Sequence, residues 1–158
     1  MKPTGRSTPA ITAATPADLP RILRIRHAAF TRHAPTAYPA EQVETLLRDV
    51  SPDELSAMIS AGTLFVARAA GQVLGCAGWR DDRLRHVYVD PDATRRGIGT
   101  ALLRHVETDF RARTGRSELA AGVALHAEAF YLANGYRLVD RARAWDGSTY
   151  LRMLKSLS

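Results

Sequence analysis

One cysteine, Cys76, stands in 158 residues. A lone thiol rules out an intramolecular disulfide and a cysteine-built metal cluster, and its apolar surroundings fit a core residue better than a nucleophile. Lysine is scarce, with 2 against 20 arginines. No uninterrupted apolar run reaches the roughly 18 residues that would suggest a membrane helix. The first ten residues, MKPTGRSTPA, hold no hydrophobic stretch of the kind a secretion signal needs. They read as a loose tail, and a cytoplasmic protein is the simplest expectation. No histidine pair has the H-E-x-x-H spacing and no Ser/His/Asp set is recognisable, so neither a metal centre nor a hydrolytic triad is expected. Repeats, linkers and low-complexity segments are also missing.

What is present suits one ordinary domain, residues 11–158 after a flexible tail over 1–10. The hydrophobic fraction of 46% is enough for a core. The formal charge of +6 is read in two ways, as pointing to a polyanionic partner, either nucleic acid or a phosphorylated ligand, or as no more than an arginine-coated surface. A short strand over 11–13 precedes a helix whose apolar positions, Leu19, Ile22, Leu23, Ile25 and Phe30, follow a mixed 3,4 spacing. Residues 33–39 read as a loop, 40–48 as a second helix, and 51–60 as either a short helix or a loop. Strands are expected over 63–69 and 72–80, joined at Ala70 and Gly71, and over 84–89 after a turn at Asp81 and Asp82. A helix over 97–113 carries Ile98, Ala101, Leu102, Val106 and Phe110 on one stripe. A weak strand at 117–123, a short helix at 127–133 stopped by Asn134 and Gly135, and a hairpin of 136–144 with 149–154 complete a mixed α/β order.

The most informative segment is 87–103, VYVDPDATRRGIGTALL: a strand, a turn with glycines at 97 and 99, then a helix. Gly97 allows the backbone to turn, and Gly99 allows a ligand or a strand to come close. The first amides of a helix lack internal partners and, with the helix dipole, favour a phosphate. Arg95 and Arg96 add positive charge, and Thr100 offers a hydroxyl. This is neither a Walker A loop, which needs G-x-x-x-x-G-K-[ST], nor a dinucleotide fingerprint, because position 102 is Leu.

These residues resemble motif A of the GCN5-related N-acetyltransferases, [QR]-x-x-G-x-[GA], with Arg96, Gly97, Ile98 and Gly99 matching and Thr94 standing at the first position. A second stretch, LHAEAFYLANGY over 125–136, resembles the family's later motif through Ala127, Phe130, Tyr131, Gly135 and Tyr136, with His126 where asparagine is common. The resemblance implies a central, mostly antiparallel sheet with flanking helices and a cleft for acetyl-CoA between two splayed strands. It implies cofactor contacts from Val87 and Val89, from Arg95, Arg96, Gly97, Ile98, Gly99 and Thr100, and from His126 and Tyr131.

Direct attack of an amine on the thioester needs a proton acceptor and a proton donor. By the same resemblance Tyr131 is the acid, since a phenol is protonated at neutral pH. His86 is the candidate base or an ordinary histidine; alternation puts it on one strand face with Tyr88, opposite Val87 and Val89. His126 is a second candidate, and some members of the family use no dedicated base. His33 and Tyr38 fall in a loop that often shapes the acceptor site. Trp79 and Trp145 are either core or acceptor-pocket walls. Asp90 and Pro91 end the strand. The expected activity is acetyl transfer to a primary amine on a small molecule or peptide, by a monomer or homodimer. A non-catalytic acyl-CoA-binding module of the same fold is the alternative, and nucleic acid and membrane partners are not expected.

Overall fold

In the computed structural model, residues 9–33, 52–94, 96–144 and 147–157 are described. The expected helix at 40–48, most of the loop before it, and Tyr38, Arg95, Trp145 and Asp146 lie outside these ranges. Among the described residues there are seven strands, β1 (Ala10–Ala13), β2 (Leu64–Ala69), β3 (Gln72–Arg80), β4 (Arg83–Val89), β5 (Glu118–Val123), β6 (Arg137–Arg143) and β7 (Thr149–Ser156). The helices are α1 (Leu19–His33), α2 (Pro52–Ala61), α3 (Ile98–Thr114) and α4 (Glu128–Ala133). Within the ambiguous stretch at 51–60, the described residues from Pro52 onward are helical, with Leu55 and Met58 turned inward.

Alternating side chains on the inner strands give the sheet two buried faces. Leu64, Val66 and Cys76 face α1 and α2, where they meet Ile22, Ile25, Leu55 and Met58. Phe65, Ala67, Ala77 and Leu84 face α3, where they meet Leu102, Val106 and Phe110. Cys76 is fully buried in the first cluster, and burial pushes its thiol up to about 12. That is a core residue, as its sequence context suggests. Among the described residues no helix is long and apolar enough to cross a membrane.

The strand order is β1-β2-β3-β4-β5-β7-β6. All neighbours are antiparallel except β4 and β5, which are parallel and joined through the crossover helix α3. That one parallel seam is short: Arg83 pairs with Ala120 and Leu84 with Ala121, and no later residue of β4 pairs with β5. From Arg85 to Val89 the two strands part, so backbone groups along that edge of β4 have no strand partner.

A bulge accompanies the parting. Cys76 pairs with Tyr88 and Gly78 with Arg85, which leaves His86 and Val87 opposite Ala77. His86 takes a φ of +57°, an uncommon value for a residue with a Cβ. The extra residue slips the alternation: Leu84, Val87 and Val89 all pack toward α3. Arg85, His86 and Tyr88 turn toward α1 and α2, where they meet Glu54 and Arg26.

Candidate active site

Where β4 and β5 part, a cleft of about 1000 Å³ opens between the start of α3 and the face covered by α1 and α2. That size lies at the upper end for small-molecule sites and suits an elongated ligand.

One end is a backbone cradle. Asp90 caps the turn after β4 by accepting from the Asp92 amide at 3.0 Å, and it pairs with Arg21 of α1 at 2.6 Å. Thr94 closes the turn by donating its hydroxyl to the Pro91 carbonyl at 3.3 Å. Gly97 then takes a φ of +74°, and the first bond of α3 runs from the Ala101 amide to the Gly97 carbonyl at 3.0 Å. The amides of Ile98, Gly99 and Thr100 precede that bond, and all three residues line the cleft. A Cβ at Gly97 would meet nothing within 4 Å, so the space before the helix is open. Among the described residues Arg96 Nε is buried without a hydrogen-bond partner. Free amides and open space fit an anionic group such as a pyrophosphate, while Arg96 flanks the turn and is not itself among the residues lining the cleft.

The wall beside the cradle comes from α4. A Cβ at Gly99 would lie 2.9 Å from Phe130 Cζ, so this glycine makes room for an aromatic ring of the protein itself. Phe130 meets Tyr131 edge-on with centroids 5.2 Å apart, and Tyr131 meets Tyr136 in the same way at 5.4 Å. Tyr136 is tethered in turn, donating its hydroxyl to buried Glu107 at 2.8 Å, and Lys155 closes on the same carboxylate at 2.9 Å. Tyr131 is itself 8% exposed and lines the cleft. Burial, with a further contribution from Tyr88, raises its pKa, so the phenol holds its proton across the working pH range.

At the opposite end, four side chains from three elements form a hydrogen-bonded row. Arg26 Nε donates to Tyr88 Oη at 3.1 Å, and Tyr88 Oη lies 3.1 Å from His86 Nδ1. His86 Nε2 lies 2.5 Å from Glu54 Oε1. Burial works to raise the Glu54 pKa, but the His86 hydrogen bond and the Arg85 and Arg80 charges override it, so Glu54 stays ionised. An ionised carboxylate only accepts, which assigns the His86 proton to Nε2 and leaves Nδ1 to accept from the Tyr88 hydroxyl. Burial lowers the His86 pKa more strongly than Glu54 raises it, so the ring is neutral near pH 7. The Tyr88 pKa is raised by its burial.

Most of the residues singled out from sequence meet here. Val87, Val89, Gly97, Ile98, Gly99, Thr100, His126, Tyr131 and His86 all line the one cleft. His126 sits on the turn before α4 with its ring edge-on to Phe30 at 6.1 Å. Trp79 is not brought into the cleft. It points to the α3 side, with its indole donating to Asp109 at 2.8 Å and its ring edge-on to Phe110 at 5.2 Å. Of the two readings of Trp79, core wall is the one that fits. His33 ends α1, while Tyr38 and Arg95 fall outside the described residues. The sequence reading missed Arg26, Glu54 and the part played by Tyr88. Arg26 carried a signal, since it lies four residues after Ile22 and four before Phe30, on the inward stripe of α1.

Comparison with known proteins agrees with this geometry. Residues 35–157 match the family model described as an acetyltransferase (GNAT) domain. A crystal structure of a GCN5-related N-acetyltransferase from Rhodopseudomonas palustris superposes with a TM-score of 0.85 at 27% identity, covering 99% of this chain and 100% of that one. The PaiA N-acetyltransferase of Thermoplasma acidophilum, solved in complex with coenzyme A, superposes at 0.77 with 20% identity, covering 95% and 99%. In sequence, 124 residues are 29% identical to the tRNA(Met) cytidine acetyltransferase TmcA of Aeropyrum pernix. That match takes in 78% of this chain and 16% of the much longer relative.

Proposed function

This chain belongs to the GNAT acetyltransferase family, and on that premise we propose that it transfers an acetyl group from acetyl-CoA to a primary amine by direct attack. The observation that carries the reading is the parting of β4 from β5 after Leu84 and Ala121, which joins the anion cradle to the buried hydroxyls of Tyr131 and Tyr88 through one cleft. Coenzyme A bound by a fold neighbour supports the choice of donor.

The amides of Ile98, Gly99 and Thr100, with Arg96, would hold the pyrophosphate, and backbone groups of Val87 and Val89 would hold the pantetheine arm. Bound acetyl-CoA supplies an acyl group activated as a thioester. Tyr131 keeps a proton at its hydroxyl and serves as donor to the departing sulfur. The neutral His86 Nδ1 is the final proton acceptor, reached through Tyr88: as the Tyr88 oxygen takes a proton from the amine, its own hydroxyl proton passes to His86. Glu54 then stabilises the imidazolium through the bond already made to Nε2.

The test is thiol release from acetyl-CoA with a panel of amines, alongside calorimetric binding of CoA. Turnover that collapses in Tyr131→Phe supports the reading. Saturable CoA binding with no turnover on any amine overturns it in favour of a non-catalytic binding module.

A further inference from the structure

The acceptor half of the cleft is short of negative charge. Three arginines line it, Arg26, Arg83 and Arg85, against a single carboxylate, Glu54, among the described lining residues. That carboxylate is fully engaged. Its Oε1 takes both Arg85 Nη2 at 2.9 Å and His86 Nε2, and its Oε2 takes Arg80 Nη1 at 3.3 Å. Among the described residues Arg83 has only a loose pair with Asp82, 3.6 Å long, in which both side chains are about half exposed. Arg85 is 40% exposed, so its guanidinium is open to a ligand.

The placement of these cations is specific. Arg85 and His86 meet on one oxygen of Glu54, so a guanidinium stands beside the proposed base. Arg26 stands on the other side, donating to Tyr88 Oη. A nitrogen brought to the Tyr88–His86 pair therefore sits between two fixed positive charges. An acceptor whose only charges are ammonium groups, such as a polyamine, is repelled there. An acceptor with its own anion next to the nitrogen is drawn in, because a guanidinium holds a carboxylate through two parallel hydrogen bonds.

Resting on the acetyl-transfer reading above, we infer that the acceptor is a primary amine carrying a carboxylate within a few bonds of the nitrogen, held by Arg85 and Arg83 on the rim of the cleft. A free amino acid and a peptide with an acidic first residue share that chemistry.

The experiment compares L-glutamate, glutaminamide, the peptide amide Glu-Ala-NH2 and spermidine. Thiol release is followed with acetyl-CoA, and in parallel each amine is titrated calorimetrically into protein saturated with CoA. The two carboxylate-bearing amines are expected to exceed glutaminamide by about tenfold or more in kcat/KM, with spermidine weakest. Arg83→Gln is expected to raise KM for the carboxylates with kcat nearly unchanged, whereas Arg85→Gln is expected to raise the same KM and also to alter kcat, because Arg85 holds Glu54 beside His86, with Arg85→Lys recovering part of the loss. Preference for glutamate over the peptide amide points to a free amino acid, and the reverse to a peptide N-terminus. Equal or faster turnover of glutaminamide or spermidine overturns the inference while leaving acetyl transfer in place. If CoA binds and no amine turns over, the transfer reading falls instead. The titrations then decide the inference alone, and glutamate binding no tighter than glutaminamide overturns it.

Discussion

The ring of Phe130 occupies the space that a side chain at Gly99 would need. A Cβ at that glycine would lie 2.9 Å from Cζ and 3.2 Å from Cε1 of the ring. The contact joins the start of α3 to α4, and Tyr131 is the next residue along, with its own ring edge-on to Phe130. The cradle and the proposed proton donor thus share one packing contact, and a disturbance at either is transmitted to the other.

Gly99→Ala should therefore act through packing. The ring must shift, and overpacking of this kind costs about 1–3 kcal/mol. The expected outcome is a lower thermal midpoint together with reduced thiol release, because Tyr131 moves with its neighbour. An unchanged midpoint would mean that α4 yields freely and that the contact constrains nothing.

Gly97→Val should do the opposite. A Cβ at Gly97 meets nothing within 4 Å, but the φ of +74° is strained for any branched side chain. The local strain is about 1–2 kcal/mol, which a folded domain tolerates. The added side chain fills the open space before the three free amides. CoA affinity is expected to fall by tenfold or more, on the order of one lost charge-assisted hydrogen bond, in a domain that still unfolds cooperatively. Retained affinity in the folded variant would remove the pyrophosphate from this turn.

The contrast between those two glycines marks what could be read from sequence. Gly97, Gly99 and the 125–136 motif are local patterns, and the chain builds them locally, as a turn and two helix starts. The grouping of His86 with Tyr88 also followed from alternation. Alternation carried back to Leu84 fails, because the bulge at His86 inserts a residue that no pattern announces. Glu54 was invisible for a different reason. Its role depends on a helix 32 residues away from His86 docking on that strand face, and nothing in the run PDELSAMISA sets this acid apart. Trp79 shows the reverse error, a large aromatic that drew notice as a pocket wall. Its strand parity with Ala77 sends it to the α3 core.

Tyr131→Phe tests the proton donor with little structural disturbance. The ring that packs against Phe130 and Tyr136 is retained, and only the hydroxyl leaves. Thiol release should drop by about 100-fold, the low end of what a general acid contributes, while CoA affinity stays within about threefold of wild type. A loss confined to CoA affinity, with kcat intact, would make Tyr131 a binding residue and not an acid.

The row from Arg26 to Glu54 predicts a pH dependence with a definite sign. Burial lowers the His86 pKa below the ordinary 6.5, and Glu54 opposes that shift without cancelling it. The neutral ring is the proton acceptor, so kcat should hold near neutrality and fall on an acid limb centred below 6.5. Folding stability carries the same sign. The unfolded histidine binds its proton more readily than the folded one, so the contribution is complete above 6.5 and is lost as pH falls through the lowered folded value. Glu54→Gln removes the group that favours the imidazolium. It should move the acid limb to still lower pH and depress the plateau rate, since a weaker base accepts the proton less well. NMR titration of the His86 ring in both proteins provides the direct check, because its midpoint must move with the kinetic limb. A limb that stays in place after Glu54→Gln, or one that follows the acceptor's own amine pKa across different substrates, would take His86 out of the reaction.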